Sequence, residues 1–141
     1  MSRSGYNEGG ADYLADGRWR GMVASAARGK RGQAFFKDLI AALDAMPVKE
    51  LIAERVKCED GVCAMGAVLE KRGADASLFN SDDTSDIALF LDIADPLAAE
   101  VAYMNDEACW GSETPSQRWG RMRTWAASML AKTNNETMVT P

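Results

Sequence analysis

Three cysteines and a set of carboxylates are the side chains in this chain that could do chemistry. Cys58 and Cys63 are separated by four residues, so they could serve as metal ligands or form a disulfide. A structural zinc site normally takes four Cys or His ligands, but the chain has no histidine and a single further cysteine, Cys109. A cysteine nucleophile also needs a neighbouring base, which is usually histidine. We therefore predict no metal and no cofactor, with Cys63 as a small buried residue.

Carboxylates offer the remaining route to catalysis. Asp92, Asp95, Asp106 and Glu107 could supply a pair for general acid and base work, although their spacing gives no specific support for it. The alternative for Asn105 and Asp106 is a turn that ends a helix, with the side chains bonded to nearby backbone. We favour the turn, and predict a protein that is not an enzyme and has no catalytic residue.

The charges of the chain are segregated. The basic segment, Arg18 to Lys37, carries six basic residues and no acid, whereas the acidic segment, Asp75 to Glu113, carries ten acids and no Lys or Arg. Segregation of this kind can create local fields that the formal net charge of -5 conceals. Such fields steer partners or hold a protein's own segments together.

Three interpretations of this charge pattern stay open. An acidic surface could bind a partner protein. Its candidate residues are Asp82, Asp83, Asp86, Asp106, Glu107 and Trp110. Trp110 lies in a polar loop, where it could anchor a partner or plug the core. The alternative is nucleic-acid binding by Arg18, Arg20, Arg28, Lys30 and Arg31, which the low sequence pI near 4.8 disfavours. In the third interpretation the two segments pack against each other.

Length and periodicity predict the scaffold that must position these residues. A chain of 141 residues is the size of one ordinary domain. We expect a mostly α-helical single domain over residues 18–132, a flexible N-terminal segment over 1–17 and a flexible tail over 133–141. No apolar run is long enough to cross a bilayer, and residues 1–10 lack the apolar core of a secretory signal. These features predict a cytoplasmic protein.

Apolar spacing, capping residues and turn residues predict five or six helices and one short β-hairpin. The turn Glu59-Asp60-Gly61 favours the hairpin. Gly66 is expected inside a central helix, where small side chains let a neighbouring helix approach closely. The predicted helices are Trp19 to Ala27, Gln33 to Met46, Val62 to Arg72, one from Asp82 or Asp83 to Ile93, one starting at Asp95-Pro96, and Pro115 to Ala131.

Several short motifs resemble a known group of proteins. The run Cys-Ala-Met-Gly-Ala at 63–67, the run Asn-Asp-Glu at 105–107 and the Thr-Pro start of the last helix are similar to small uncharacterised proteins encoded by tailed phages and prophages. The stretches starting at Arg28 and at Ala41 are similar to the same group, so the resemblance covers about residues 19–130. It implies a phage accessory protein in the cytoplasm of the infected bacterial host. Such proteins often inhibit host or defence machinery, but the group brings no activity that could be assigned residue by residue.

Overall fold

The computed structural model describes residues 3–6, 13–109 and 111–138, with the side chains of residues 13–16 and 131–138 outside this description. Within these ranges the chain forms six α-helices, one short 3-10 helix and a two-stranded antiparallel hairpin, which confirms the predicted fold class. The elements are α1 (Tyr13–Arg28), α2 (Lys30–Ala45), β1 (Lys57–Cys58), β2 (Gly61–Val62), α3 (Ala64–Lys71), the 3-10 helix (Ala76–Leu78), α4 (Thr84–Leu91), α5 (Asp95–Asp106) and α6 (Pro115–Met138).

Helix α2 forms the centre of the core. Its apolar side chains recur at three- and four-residue spacing, so they share one face of the helix. Phe35, Phe36, Leu39 and Leu43 are completely buried on that face, where α2 packs against α3 and α6. The amphipathic stripe predicted from the sequence is therefore the main surface on which the domain is assembled.

Helix α3 is short and is buried on most of its circumference, as predicted. The structure corrects the reason for Gly66, because its close neighbour is backbone before β1 and not another helix. A Cβ atom at Gly66 would lie 2.4 Å from the carbonyl oxygen of Val56. The missing side chain therefore lets the segment before the hairpin lie directly on α3.

Two helices begin with the side-chain caps that the sequence predicts. At α6 the backbone amide of Gln117 donates to Thr114 Oγ1 (3.1 Å), and the backbone amide of Thr114 donates to Gln117 Oε1 (3.0 Å). These two reciprocal bonds form a capping box. At α4 Asp83 Oδ1 accepts from the Asp86 amide. Helix α5 differs, since it begins at Asp95 with Ala94 as its uncapped N-cap residue and Pro96 in its first turn.

The organised region extends beyond the predicted limits of 18 and 132. Helix α1 begins at Tyr13, the backbone of α6 continues to Met138, and residues 3–6 lie against α5. The predicted flexible segment 1–17 is thus partly incorporated in the fold, because polar side chains attach it where no apolar stripe exists. Trp110, a predicted anchor, lies outside the described residues.

Candidate functional site

The C-terminal end of α5 lies in a network of polar contacts. The Asn105 side chain accepts from the amide of Ala64 (3.1 Å) at the start of α3 and donates to the carbonyl oxygen of Ile52 (2.9 Å). It also donates to Asp106 Oδ1 (2.8 Å). Asn105 thus joins α5 to two segments that are 41 and 53 residues away in the chain, so the predicted local turn is wrong in its partners.

Asp106 is held in place by the domain around it. Its Oδ1 atom accepts from the backbone amide of Glu54 at 2.9 Å. Glu54 adopts a φ of 69°, in the left-handed region that a non-glycine residue rarely occupies. This backbone turn aims the Glu54 amide at the carboxylate, and only 4% of the Asp106 side chain is exposed. Asp106 was predicted to lie on an acidic surface, but the structure buries it.

Residues 3–6, which we term the strap, cover this carboxylate. The Arg3 guanidinium binds both oxygens of Asp106, at 2.6 Å from Nε to Oδ2 and 2.9 Å from Nη2 to Oδ1. Its Nη1 atom lies 3.5 Å from Cys63 Sγ, and 2% of the Arg3 side chain is exposed. Burial works to lower the pKa of Arg3, but Cys63 and Asp106 more than offset it, and the pKa rises above its ordinary value.

The rest of the strap binds two further acids of α5. Ser4 Oγ donates to Glu107 Oε2 (2.7 Å), and the Tyr6 hydroxyl donates to Glu100 Oε1 (2.7 Å). Burial raises the pKa of Tyr6, with Trp19 working against this rise and Glu100 adding to it. The phenol therefore stays protonated as a donor. We call Glu100, Asp106 and Glu107 the α5 acids, and all three are engaged by the strap.

Aromatic rings also contact the Tyr6 side chain. Trp19 Nε1 donates to the Tyr6 hydroxyl (2.9 Å), and the two rings meet edge to face. The ring of Tyr103 lies 5.0 Å from that of Tyr6, and Arg20 reaches Glu100 at 3.1 Å. Glu100 is thereby buried between a phenol and a cation, with 8% of the residue exposed.

A polar cleft of about 690 Å³ opens beside the strap. Arg3, Glu54, Asp106 and Glu107 form one part of its wall, and Asn80 and Asp82 form another. Asp82, which was predicted to share an acidic surface with Asp106 and Glu107, lines this cleft together with them. Arg3 was missed, because it falls in a Gly- and Ser-rich stretch without apolar periodicity.

The start of α4 has a different character. Asp82, Asp83 and Asp86 are exposed, and none forms an ion pair with another described residue. Leu89 and Phe90 follow Asp86 by three and four residues, so they lie one turn further along the helix. Their exposed fractions are 80% and 47%. We call these five residues the α4 surface.

More apolar area adjoins the α4 surface. The ring of Phe79, next to the 3-10 helix, meets Phe90 edge to face at 5.5 Å. Leu78, the neighbour of Phe79, is 80% exposed. On the other side Leu89 lines a second, smaller groove of about 310 Å³ together with Arg31 and Asp92. Exposed apolar side chains with an acidic border are typical of surfaces that bind proteins.

The basic segment is exposed but partly neutralised by the protein's own acids. Arg18, Arg28 and Lys30 are exposed on α1 and at the start of α2. Arg20 binds Glu100 at 3.1 Å, and Arg31 binds Asp92 at 3.2 Å. Arg20 and Arg31 therefore support the interpretation that the acidic and basic segments pack against each other.

Cys63 is completely buried, as predicted. Among the described residues, no group of three or more cysteine and carboxylate side chains is placed to hold a metal ion. In the same part of the chain, no helix has the length and apolar character needed to cross a membrane.

Comparison with known proteins does not assign this chain to a family or a function. No family model, no curated protein and no solved structure matches this chain. The two candidate sites of this protein are the strap with its cleft and the α4 surface.

Proposed function

We propose that this chain is a non-enzymatic binding protein whose α4 surface engages a basic surface of a protein partner. One observation carries the proposal: Asp82, Asp83 and Asp86 are exposed without a cation among the described residues. Exposed Leu89 and Phe90 lie one helical turn beyond Asp86. Glu100 and Asp106, by contrast, are bound by the protein's own cations.

The two kinds of side chain on the α4 surface have separate roles in such binding. Exposed carboxylates attract a basic partner over a distance and orient it, which raises the association rate. Apolar side chains such as Phe90 supply contact area that water leaves on binding, and they resist dissociation. The matching partner surface carries Lys or Arg around an apolar patch.

The biological setting follows from the resemblance to phage proteins. We propose a phage-encoded accessory protein that acts in the host cytoplasm on a host protein, plausible targets being defence or nucleic-acid-handling machinery. A basic site that normally holds nucleic acid has the chemistry that the α4 surface complements. Occupation of that site would inhibit the host protein.

Nucleic-acid binding through the basic segment is the second candidate. Arg18, Arg28 and Lys30 support it, because they are exposed on neighbouring parts of α1 and α2. Arg20 and Arg31 count against it, since each binds an acid of the same chain. The α4 surface is therefore the stronger proposal.

Paired variants separate the two candidates. Asp82→Lys combined with Asp86→Lys reverses the charge of the α4 surface but keeps the cap made by Asp83, and Leu89→Ser combined with Phe90→Ser removes its apolar part. Arg28→Glu combined with Lys30→Glu is the matched change in the basic segment. Each variant is checked by circular dichroism and then used in a pull-down from nuclease-treated host lysate.

We expect the wild type and the basic-segment variant to capture a host protein in this pull-down. Neither α4-surface variant should capture it. The proposal is overturned if that protein is retained by both α4-surface variants. It is also overturned if the wild type shifts a DNA or RNA duplex at micromolar concentration in a salt-sensitive manner that the basic-segment variant abolishes.

A further inference from the structure

The strap is attached to the helical domain in the way that a peptide ligand is attached to a receptor. The attachments are made by the side chains of Arg3, Ser4 and Tyr6. Recognition therefore depends on side-chain chemistry, which a second peptide with the same side chains could reproduce.

The Arg3 position is specific for a guanidinium group. Two parallel bonds run to the two oxygens of Asp106, a geometry that a lysine ammonium cannot match. The third nitrogen, Nη1, lies against Cys63 Sγ. A planar group with donors on three nitrogens fills this position.

The domain positions the Asp106 carboxylate without help from the strap. Oδ1 is fixed by the Glu54 amide and by Asn105, which is itself tied to the start of α3 and to Ile52. A receptor group that is already oriented loses little conformational freedom when its ligand binds. An Asp106 site left by Arg3 would therefore keep its affinity for another arginine.

A second contact recognises Tyr6, three positions after Arg3. The Tyr6 hydroxyl is bound by Glu100 and Trp19, and its ring lies between those of Trp19 and Tyr103. The site therefore recognises an arginine and a tyrosine at a fixed spacing, with a small hydroxyl residue after the arginine.

We propose that the end of α5 is a peptide-recognition site for an arginine-x-x-tyrosine segment, occupied here by the chain's own strap and open to the same kind of segment from another molecule. Asp82 of the α4 surface lines the same cleft, but the contacts to Arg3 and Tyr6 are made by other residues, so this inference does not depend on the proposed function. The strap competes with any external segment at a local concentration of the order of millimolar, so it lowers the apparent affinity of the external one.

Thiol labelling of Cys63 reports on the occupancy of the site. In the full chain carrying Cys58→Ser and Cys109→Ser, Cys63 is covered by Arg3, so a thiol reagent such as DTNB reacts slowly. Adding Arg3→Ala should raise the labelling rate about tenfold or more, because the cover over the sulfur is lost. Acetyl-Ser-Arg-Ser-Gly-Tyr-amide at ~1 mM should restore protection, whereas the same peptide with lysine in place of arginine should not.

Arg20→Ala is the matched control, because it removes a neighbouring cation from Glu100 and leaves Cys63 covered; its labelling rate should equal that of the parent. Equal rates for the parent and Arg3→Ala would overturn the proposal. The proposal would also be overturned if neither peptide restored protection of Cys63, or if both peptides restored it equally.

A second variant keeps the test independent of the folding of Arg3→Ala. Tyr6→Phe retains Arg3 but loses the bond to Glu100, so the strap is held less tightly. A fluorescently labelled arginine peptide should bind this variant several-fold more tightly than the wild type. Binding that is absent from both proteins at ~1 mM peptide would contradict an exchangeable site.

Discussion

Asp106 and the acids of the α4 surface belong to one uninterrupted acidic segment, yet they have opposite environments. Asp106 is buried and bound by Arg3, whereas Asp82, Asp83 and Asp86 are exposed and have no cation among the described residues. The difference follows from the helix ends at which the acids lie. Asp106 is the last residue of α5, and Asp83 is the N-cap of α4.

A helix end has a polarity of its own. The C-terminal end carries partial negative charge, so an acid there needs cations, and an acid at the N-terminal end is stabilised by the helix itself. Arg3 supplies one cation at the end of α5, while Arg121 donates to the carbonyl oxygens of Met104 and Asn105. Acids at the start of α4 need no such partner and stay available. A run of like charge in a sequence therefore does not define one surface.

The largest expected effect on stability comes from Asp106, the buried acid. Asp106→Ala removes the acceptor of Arg3, of the Glu54 amide and of the Asn105 side chain, and should lower the free energy of unfolding by about 3–5 kcal/mol. Asp86→Ala removes an exposed acid and should change it by less than about 0.5 kcal/mol. Urea unfolding followed by circular dichroism measures both. Equal losses would show that helix-end position and burial do not separate the two groups.

A smaller effect is expected from the glycine that lets the hairpin segment reach the α5 acids. Gly66→Ala places a Cβ atom 2.4 Å from the Val56 carbonyl oxygen and should cost ~1–3 kcal/mol. Gly120→Ala is the matched control, since a Cβ atom there meets nothing within 4 Å in α6. This control should stabilise by up to about 1 kcal/mol. A melting temperature that rises in both variants would contradict the close approach.

The smallest expected effect on stability comes from Glu113, an acid that precedes α6. The hydrogen bond from Arg121 holds the pKa of Glu113 below its ordinary value of 4.5. Because the folded pKa is the lower one, this stabilisation is fully present above about pH 4.5 and is lost as pH falls through the folded pKa. Glu113→Gln should flatten the decline of stability between about pH 7 and about pH 3. An unchanged decline in urea titrations would assign the acid sensitivity to other carboxylates.

Local patterns in the sequence predicted the scaffold well. The buried stripe of α2, the capping box of Thr114 and Gln117, and the cap at Asp83 depend on residues a few positions apart, so periodicity and capping preferences identify them. The charge runs left contact between the basic and acidic segments as one of three open interpretations, and Arg20 and Arg31 make such contacts.

The strap could not be predicted in this way. Arg3 and Asp106 are separated by 103 residues, and nothing in a Gly- and Ser-rich stretch indicates a partner at that distance. Asn105 illustrates the same limit, because its side chain was expected to bond nearby backbone and instead reaches Ile52. The available signal was chemical: Arg3 and Tyr6 are donors that acids of α5 can satisfy. Trp110 stays a prediction, and so does the absence of a metal, a cofactor and catalysis.

The long reach of the strap also sets an order in time. During synthesis at ~5–20 residues per second, Arg3 emerges roughly 5–20 s before Asp106 has been made. The first residues of the chain are therefore among the last to find their place. Until then Arg3 and Tyr6 are exposed to the cell, and once α5 forms, its acids meet whichever arginine segment is nearest. The nascent chain thus has a period in which a segment from elsewhere can take the place of its own.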